Sequence, residues 1–300
     1  MSTEIHQPRN LRLSLVMCTR DRAARLPRTL AALEQLETGV EFELVIVDNG
    51  SVDATAQVLR EFQRRSKHSV RVLTEPRPGL CTARNRGWRS CRADIVGFVD
   101  DDCYPAHDFV TSLDRSFADP NVGYVGGKVT LFDQADLPLT IQLHDELIEM
   151  LPGTFVRAGL IHGANMAFRT SVLESLNGFD ECLGAGTPTR SGGDADAIAR
   201  ATILGHRGRY DPLVVVAHHH RRRTELERDH LAQGYSIGRG AFHVKGLLNL
   251  KTRPVFFKPV LYHVVSQYRR RRFVTLLQEL RGALTYVCLR ALRAVQHRRT

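Results

Sequence analysis

The first hundred residues alternate two hydrophobic periods. Short apolar runs at LRLSLVM (11–17), FELVIV (42–47), VRVLT (70–74) and DIVGFV (94–99) have the length and composition of buried strands. Helical spacing lies between them. Leu26, Leu30, Leu33 and Leu36 recur every three or four residues, DNGSVDATAQVLREFQRR reads as a turn and helix with Asp53 as N-cap, and CTARNRGWRSC reads as a third helix. Strands separated by helices of this length predict right-handed βαβ units, hence a mostly parallel sheet flanked by helices in an α/β fold. Such sheets collect ligands outside the carboxyl ends of their strands. Three unusual polar clusters sit at those ends: Cys18-Thr19-Arg20-Asp21, Asp48-Asn49-Gly50-Ser51 and Asp100-Asp101-Asp102.

The second half is less regular. VGYVGGKVTLF (122–132) predicts a strand or hairpin, and IHGANMAF (161–168) a short strand followed by a helix and a turn at Asn177-Gly178. GAGTPTRSGGDADAIARATILG predicts a loop entering a helix near Asp194. PLVVVAHHH predicts a strand ending in His218, His219 and His220, of which His218 and His220 share a face. From about residue 225 the pattern is helical to the end. There is no internal repeat and no long linker, so one domain is expected over 1–222 and a helical extension over 223–300.

Composition narrows the classes. With 300 residues, 43% hydrophobic and 25% charged, the chain is globular rather than collagen-like or low-complexity. Cysteines 18, 81, 91, 103, 182 and 288 form no CxxC pair, which argues against a structural zinc site or disulfide framework and for reduced thiols. No apolar run reaches membrane-spanning length, and MSTEIHQPRN lacks the apolar core of a signal peptide. A cytoplasmic location is expected, with peripheral attachment at the inner face of the membrane as a variant. The net charge of +10 is unevenly held: residues 221–300 carry 18 Lys+Arg against 4 Asp+Glu, so the rest leans acidic. An acidic body argues against a nucleic-acid partner, which would leave only the basic tail for that role.

Asp100-Asp101-Asp102 is the strongest chemical feature. Adjacent carboxylates repel, so the arrangement is costly unless something positive sits there. A hard divalent cation bridging a diphosphate is the natural counterion, and oxygen donors suit Mg²⁺ or Mn²⁺. The plainer alternative is an acidic turn capping the next helix. Asp194 and Asp196 likewise read either as chemistry or as caps of the helix they open.

Six segments in order over residues 13–222 resemble family 2 glycosyltransferases of the GT-A fold, inverting enzymes that use nucleotide-diphosphate sugars. They are SLVMCTRDR, VIVDNGSVD, GLCTARNRG, FVDDDCYP, GANMAFR with GFDE, and GGDADAIAR, followed by a histidine after a late strand. The resemblance implies a donor-binding half over about 11–105 and an acceptor half over about 106–222. It implies nucleotide contacts from Cys18, Thr19, Arg20, Asp21, Asp48, Asn49, Arg84, Asp100 and Asp101. Asp102 and His218 would hold the metal, Asp194 would be the catalytic base, and Asn165 and Asp196 would border the acceptor. Two departures stand out: Arg20 replaces an aromatic residue common in the first loop, and Gly193 replaces the glutamate that usually precedes the base. The implied partners are a UDP-sugar (or a GDP- or dTDP-sugar) and a saccharide or lipid-linked acceptor in cell-envelope or extracellular polysaccharide synthesis. Neither a QxxRW-like segment nor membrane spans accompany the motifs, so single additions are expected rather than processive synthesis.

Two enzyme alternatives fit less well. A nucleotidyltransferase would show a Gly-rich phosphate loop, whereas CTRDRAARL has no glycine, and no GxGxxG follows the first strand as a dinucleotide oxidoreductase requires. In the tail, Phe273, Leu277, Leu280, Leu284, Val287, Ala291 and Val295 form a helical stripe among Arg269–Arg272, Arg281, Arg290, Arg293, Arg298 and Arg299. Such a helix either lies on an anionic membrane surface or packs its stripe on the domain.

Overall fold

A computed structural model describes residues 11–37 and 39–297 of the chain. The N-terminal decapeptide read above for a leader, and Arg298 and Arg299, lie outside the described residues. The elements run β1 (Leu11–Thr19), α1 (Leu26–Glu34), β2 (Phe42–Asp48), α2 (Thr55–Arg65), β3 (Ser69–Thr74), α3 (Leu80–Arg89), β4 (Ala93–Asp100), β5 (Cys103–Pro105) and α4 (Phe109–Ser116). Then follow β6 (Val122–Leu131), β7 (Ile148–Met150), β8 (Asn165–Arg169), α5 (Thr170–Ser175), α6 (Gly193–Ile203), β9 (Arg207–His218), α7 (Glu225–Leu248), α8 (Arg253–Arg269) and α9 (Phe273–His297).

One sheet carries the fold, in the order β3-β2-β1-β4-β8-β6-β9-β5, with β7 beside β9. Its first four strands are parallel, as their apolar runs predict. The other half is mixed: β8 runs antiparallel to both β4 and β6, β9 is parallel to β6, and β5 and β7 are antiparallel to β9. The parallel pairing expected from the sequence is continuous over residues 11–100 and returns between β6 and β9, with antiparallel pairs joining the two stretches. Side-chain alternation along β1 feeds two cores. Leu13, Leu15 and Met17 pack with Leu26, Leu30 and Leu33 of α1 and Phe62 of α2, while Val16 packs with Trp88 of α3 and Phe98 of β4.

Several local expectations shift. α2 starts at Thr55 with Ala54 at the cap; Asp53 instead accepts the N–H groups of Thr55 (2.9 Å) and Ala23 (3.1 Å), tying two loops together. Within 161–168 the strand begins only at Asn165, because His162 and Asn165 close a turn through their backbones. β9 starts at Arg207, five residues before the apolar run, since its polar residues are satisfied by neighbours: Arg207 and Arg209 both pair with Glu149.

The C-terminal helices dock on the body rather than trailing from it. Thr224 and Glu227 form a capping box that starts α7. α7 and α9 approach backbone to backbone. A Cβ at Gly240 would overlap the Glu279 carbonyl, and one at Gly282 would overlap the Ile237 carbonyl. The Lys245 ammonium lies 2.7 Å from both Asp180 and Asp196, and the Tyr286 hydroxyl donates to Asp180 at 2.8 Å, so one buried cluster joins α6, α7 and α9. The docked face of α9 is Glu279, Gly282, Tyr286 and Leu289, whereas the Phe273–Val295 stripe points away. The reading in which that stripe packs on the domain is thus overturned.

Burial alone would raise the Asp180 pKa, but the Lys245 ammonium holds it far below the usual aspartate range. Its stabilisation is therefore present above the unfolded pKa of about 4 and is lost as pH falls below it. Lys245→Met removes the compensating charge and is expected to cost about 3–5 kcal/mol at neutral pH. Denaturant titrations from neutral pH towards pH 4 should show the gap to wild type narrowing, as protonation relieves the uncompensated carboxylate in the variant.

Candidate active site

Register assembles the site. β1 is flanked on both sides, with Thr19 beside Asp48 in β2 and Cys18 beside Asp100 in β4, so three polar strand ends lie at one level. A cleft of about 420 Å³ opens there. Asn49 organises its near rim: its amide donates to the Glu75 and Arg77 carbonyls and accepts from the Gly79 N–H. Asp21, at φ +52°, accepts the Val52 N–H at 2.8 Å and so clamps the first loop to the second. Arg20 is exposed on the cleft wall.

The floor is ionic. The buried Arg84 donates one nitrogen to Asp100 Oδ1 (3.0 Å) and to the Gly163 carbonyl (2.9 Å). Burial raises the Asp100 pKa, and Arg84 opposes that rise. Asp101 accepts the Thr19 hydroxyl at 2.6 Å and lies 3.5 Å from Arg22; burial pushes its pKa up to about 6 despite these partners. Asp102 meets His218 at 3.3 Å because β5 pairs with the end of β9, and Thr140 holds the other ring nitrogen at 3.0 Å. Burial would lower the His218 pKa, but Asp102 raises it, and Asp102 is lowered in return.

Across the cleft stands Asp194, in the first turn of α6. Its Oδ2 accepts the Gly163 N–H (3.0 Å) and its Oδ1 the Ala195 N–H (2.8 Å), so the carboxylate is pinned with lone pairs to spare. Asp100, Arg84, Gly163 and Asp194 thus form one chain of contacts from the β4 end to α6. Gly193 now has a physical account: a Cβ there would overlap the Cys81 sulfur, so no side chain fits while α3 and α6 keep this spacing. Burial drives the Cys18 thiol upward and pushes that of Cys81 to about 12, leaving both neutral on the cleft wall.

Of the residues singled out from sequence, Cys18, Thr19, Arg20, Asn49, Arg84, Asp100, Asp101, Asp102, Asp194 and His218 line the cleft. Asp21, Asp48, Asn165 and Asp196 do not. Asp48 accepts the Ser51 N–H at 2.9 Å, and Asp196 is bonded to Arg200 and Lys245. Asn165 is buried with its amide donating to the Lys128 and Val214 carbonyls, which corrects the expectation that it borders an acceptor. Only His218 of the three histidines reaches the cleft. His219 meets the Tyr104 hydroxyl, and His220 bonds the Leu137 carbonyl and the Arg222 N–H.

The sequence pattern of glycosyl transferase family 2 matches residues 14–176, more than half of the chain. The chain belongs to that family. It is 28% identical over 243 residues to the pre-mycofactocin glycosyltransferase of Mycobacterium tuberculosis, covering 78% of this chain but only 47% of that protein. Among solved structures it superposes on the mannosyltransferase PcManGT of Pyrobaculum calidifontis, in complex with GDP-Man and Mn²⁺ (TM-score 0.61, 18% identity, 95% of this chain and 75% of that one). It also superposes on S. aureus TarS 1-349 in complex with UDP-GlcNAc (TM-score 0.62, 18% identity, 79% of this chain and 67% of that one). These two likenesses carry the GT-A fold.

In this family 2 chain a divalent cation fits the Asp102 and His218 pair. Their donor atoms converge from two elements, with the Asp100 carboxylate at the adjacent strand end. Cys103 is also close, but burial keeps its thiol neutral, a poor donor for a hard ion. The wall also holds His162, from the segment that resembles the family's acceptor border, and residues missed by sequence reasoning: Arg190, Arg222, and Leu231 and Tyr235 of α7. No local signal marks the last two, since α7 reads as part of a separate extension. Gly193→Ala should destabilise the fold by about 1–3 kcal/mol, and adding Cys81→Ala should recover most of it. Thermal unfolding of the two single variants and the double variant measures that coupling.

Proposed function

We propose that this protein is an inverting, divalent-metal-dependent glycosyltransferase that moves a sugar from a nucleotide diphosphate to an acceptor hydroxyl. A UDP-sugar is the first donor to try, ahead of GDP- and dTDP-sugars. The acceptor is a saccharide or lipid-linked saccharide, as used in cell-envelope or extracellular polysaccharide synthesis. The observation that carries the reading is the pinned Asp194 carboxylate, joined through Gly163 and Arg84 to the acidic end of β4 within one cleft.

An acceptor hydroxyl has a pKa far above 7, so a positioned base must take its proton as the new bond forms. Asp194 is suited to this: two backbone N–H groups fix its orientation while each oxygen keeps a free lone pair. The sugar would lie between Asp194 and the β4 end, so that the hydroxyl attacks opposite the departing diphosphate. Arg84, Arg22 and Arg222 put fixed positive charge around that diphosphate. Mg²⁺ or Mn²⁺, held by Asp102 and His218, would supply charge neutralisation at the leaving group when bound. Neutral Cys18 and Cys81 thiols argue against covalent catalysis by cysteine. Leu231 and Tyr235 would give the acceptor side an apolar, aromatic wall.

Two measurements test the proposal. Thermal unfolding with UDP, GDP and dTDP, each with and without Mn²⁺, should show metal-dependent stabilisation by one nucleotide that Asp102→Ala abolishes; no response to any of them overturns the donor site. Asp194→Asn should keep that stabilisation yet lower kcat for sugar transfer by about 10²–10⁴-fold. Full activity in Asp194→Asn would overturn the assignment of the base.

A further inference from the structure

We propose that the outer face of the α8–α9 hairpin is a docking surface for an anionic lipid bilayer. The apolar stripe of α9 lies opposite its docked face: Leu277, Leu280, Leu284 and Val287 each stand two residues from buried or half-buried Glu279, Gly282, Tyr286 and Leu289. Leu277 is 66% exposed and Leu284 59%. α8 adds exposed Phe257, Leu261, Tyr262 and Tyr268, and the Tyr268 and Phe273 rings touch at 5.8 Å, joining the two faces at the turn. A run of large apolar and aromatic side chains this long on a helical surface calls for a cover.

Charge decides what covers it. Arg269, Arg270, Arg271 and Arg272 crowd the same turn, exposed, and Arg281 and Arg290 flank the stripe; none of the six lies in an ion pair among the described residues. Glu279 is the only carboxylate between residues 253 and 297, and it is buried against Arg239 and His263. A second copy docking face to face would set arginines against arginines, which is repulsive. A nucleic acid would satisfy the arginines but leave the leucines wet. An anionic bilayer answers both, with aliphatic side chains in the acyl boundary, aromatic rings at headgroup level and guanidinium groups on lipid phosphates. Among the described residues no helix is long and apolar enough to cross a membrane, so the hairpin would lie in the interface plane.

The inference does not depend on the sugar-transfer reading, and nucleotide-induced stabilisation serves only as a control for folding. The full chain should co-sediment with phosphatidylcholine vesicles containing phosphatidylglycerol and bind pure phosphatidylcholine at least about tenfold more weakly. Leu277→Glu with Leu284→Glu, and separately Arg269→Gln with Arg270→Gln and Arg272→Gln, should each weaken binding by about tenfold or more. The altered side chains are exposed, so circular dichroism and Tm should not move; if the glutamate pair disturbs folding, the arginine variant carries the test. Three results would overturn the proposal: equal binding to both vesicle types, none to either, or no loss in the variants. Two others would do so as well, namely a dimer broken by the glutamate pair and tighter binding to duplex DNA than to anionic vesicles.

Discussion

Arg84 is buried at the floor of the cleft, with its guanidinium on Asp100 at the end of β4 and on the carbonyl of Gly163 in the turn before β8. A buried cation is tolerable only when paired and hydrogen-bonded. Here the pairing spans the two halves of the chain. Because Gly163 also donates to Asp194, the position of α6 relative to the parallel strands is set through the same few atoms. The ionic floor and the placement of Asp194 are one arrangement, and loosening it would disturb both sides of the cleft together.

The same device recurs where the C-terminal helices attach. Lys245 sits between Asp180, from the turn after α5, and Asp196, from the first turn of α6. Two acids two residues apart on α6 therefore have different partners: Asp194 faces the cleft, and Asp196 faces α7. The helix that carries the proposed base is braced from behind by the extension, and that extension also brings Leu231 and Tyr235 to the cleft wall. What reads as an appendage in the sequence is part of the cleft in space.

The charge imbalance has a structural meaning too. In the body, arginines are spent on carboxylates: Arg71 on Glu43, Arg200 on Asp196, Arg207 and Arg209 on Glu149. In α8 and α9 the supply of acids runs out, and the arginines beside the exposed stripe stand in solvent. The unpaired charge and the unburied apolar surface lie on the same hairpin.

The parallel half was legible because each of its elements is decided locally. Four apolar runs with intervening helical spacing admit few arrangements, and polar residues at the carboxyl ends of parallel strands must gather at one edge. The Asp100–Asp102 cluster and the loop after β1 were found on that ground, whereas Asp194 was singled out by the family resemblance, its own residues reading equally as a helix cap. The rest depended on pairings between residues far apart in the chain. Antiparallel pairing of β5 with β9 sets His218, rather than its two neighbours, against Asp102, and a turn rather than a strand at 162–165 turns Asn165 inward. The Cys81 sulfur, from α3, explains the glycine before Asp194. The helical period of α9 is equally consistent with the stripe facing in or out, because two glycines let the opposite face approach α7 instead. By itself the sequence determined the strands and helices of the first hundred residues and which strand ends are polar, since those follow from hydrophobic period and local polarity. Tertiary structure alone decided which polar groups face one another, because burial and charge compensation are properties of neighbours that the chain order does not list.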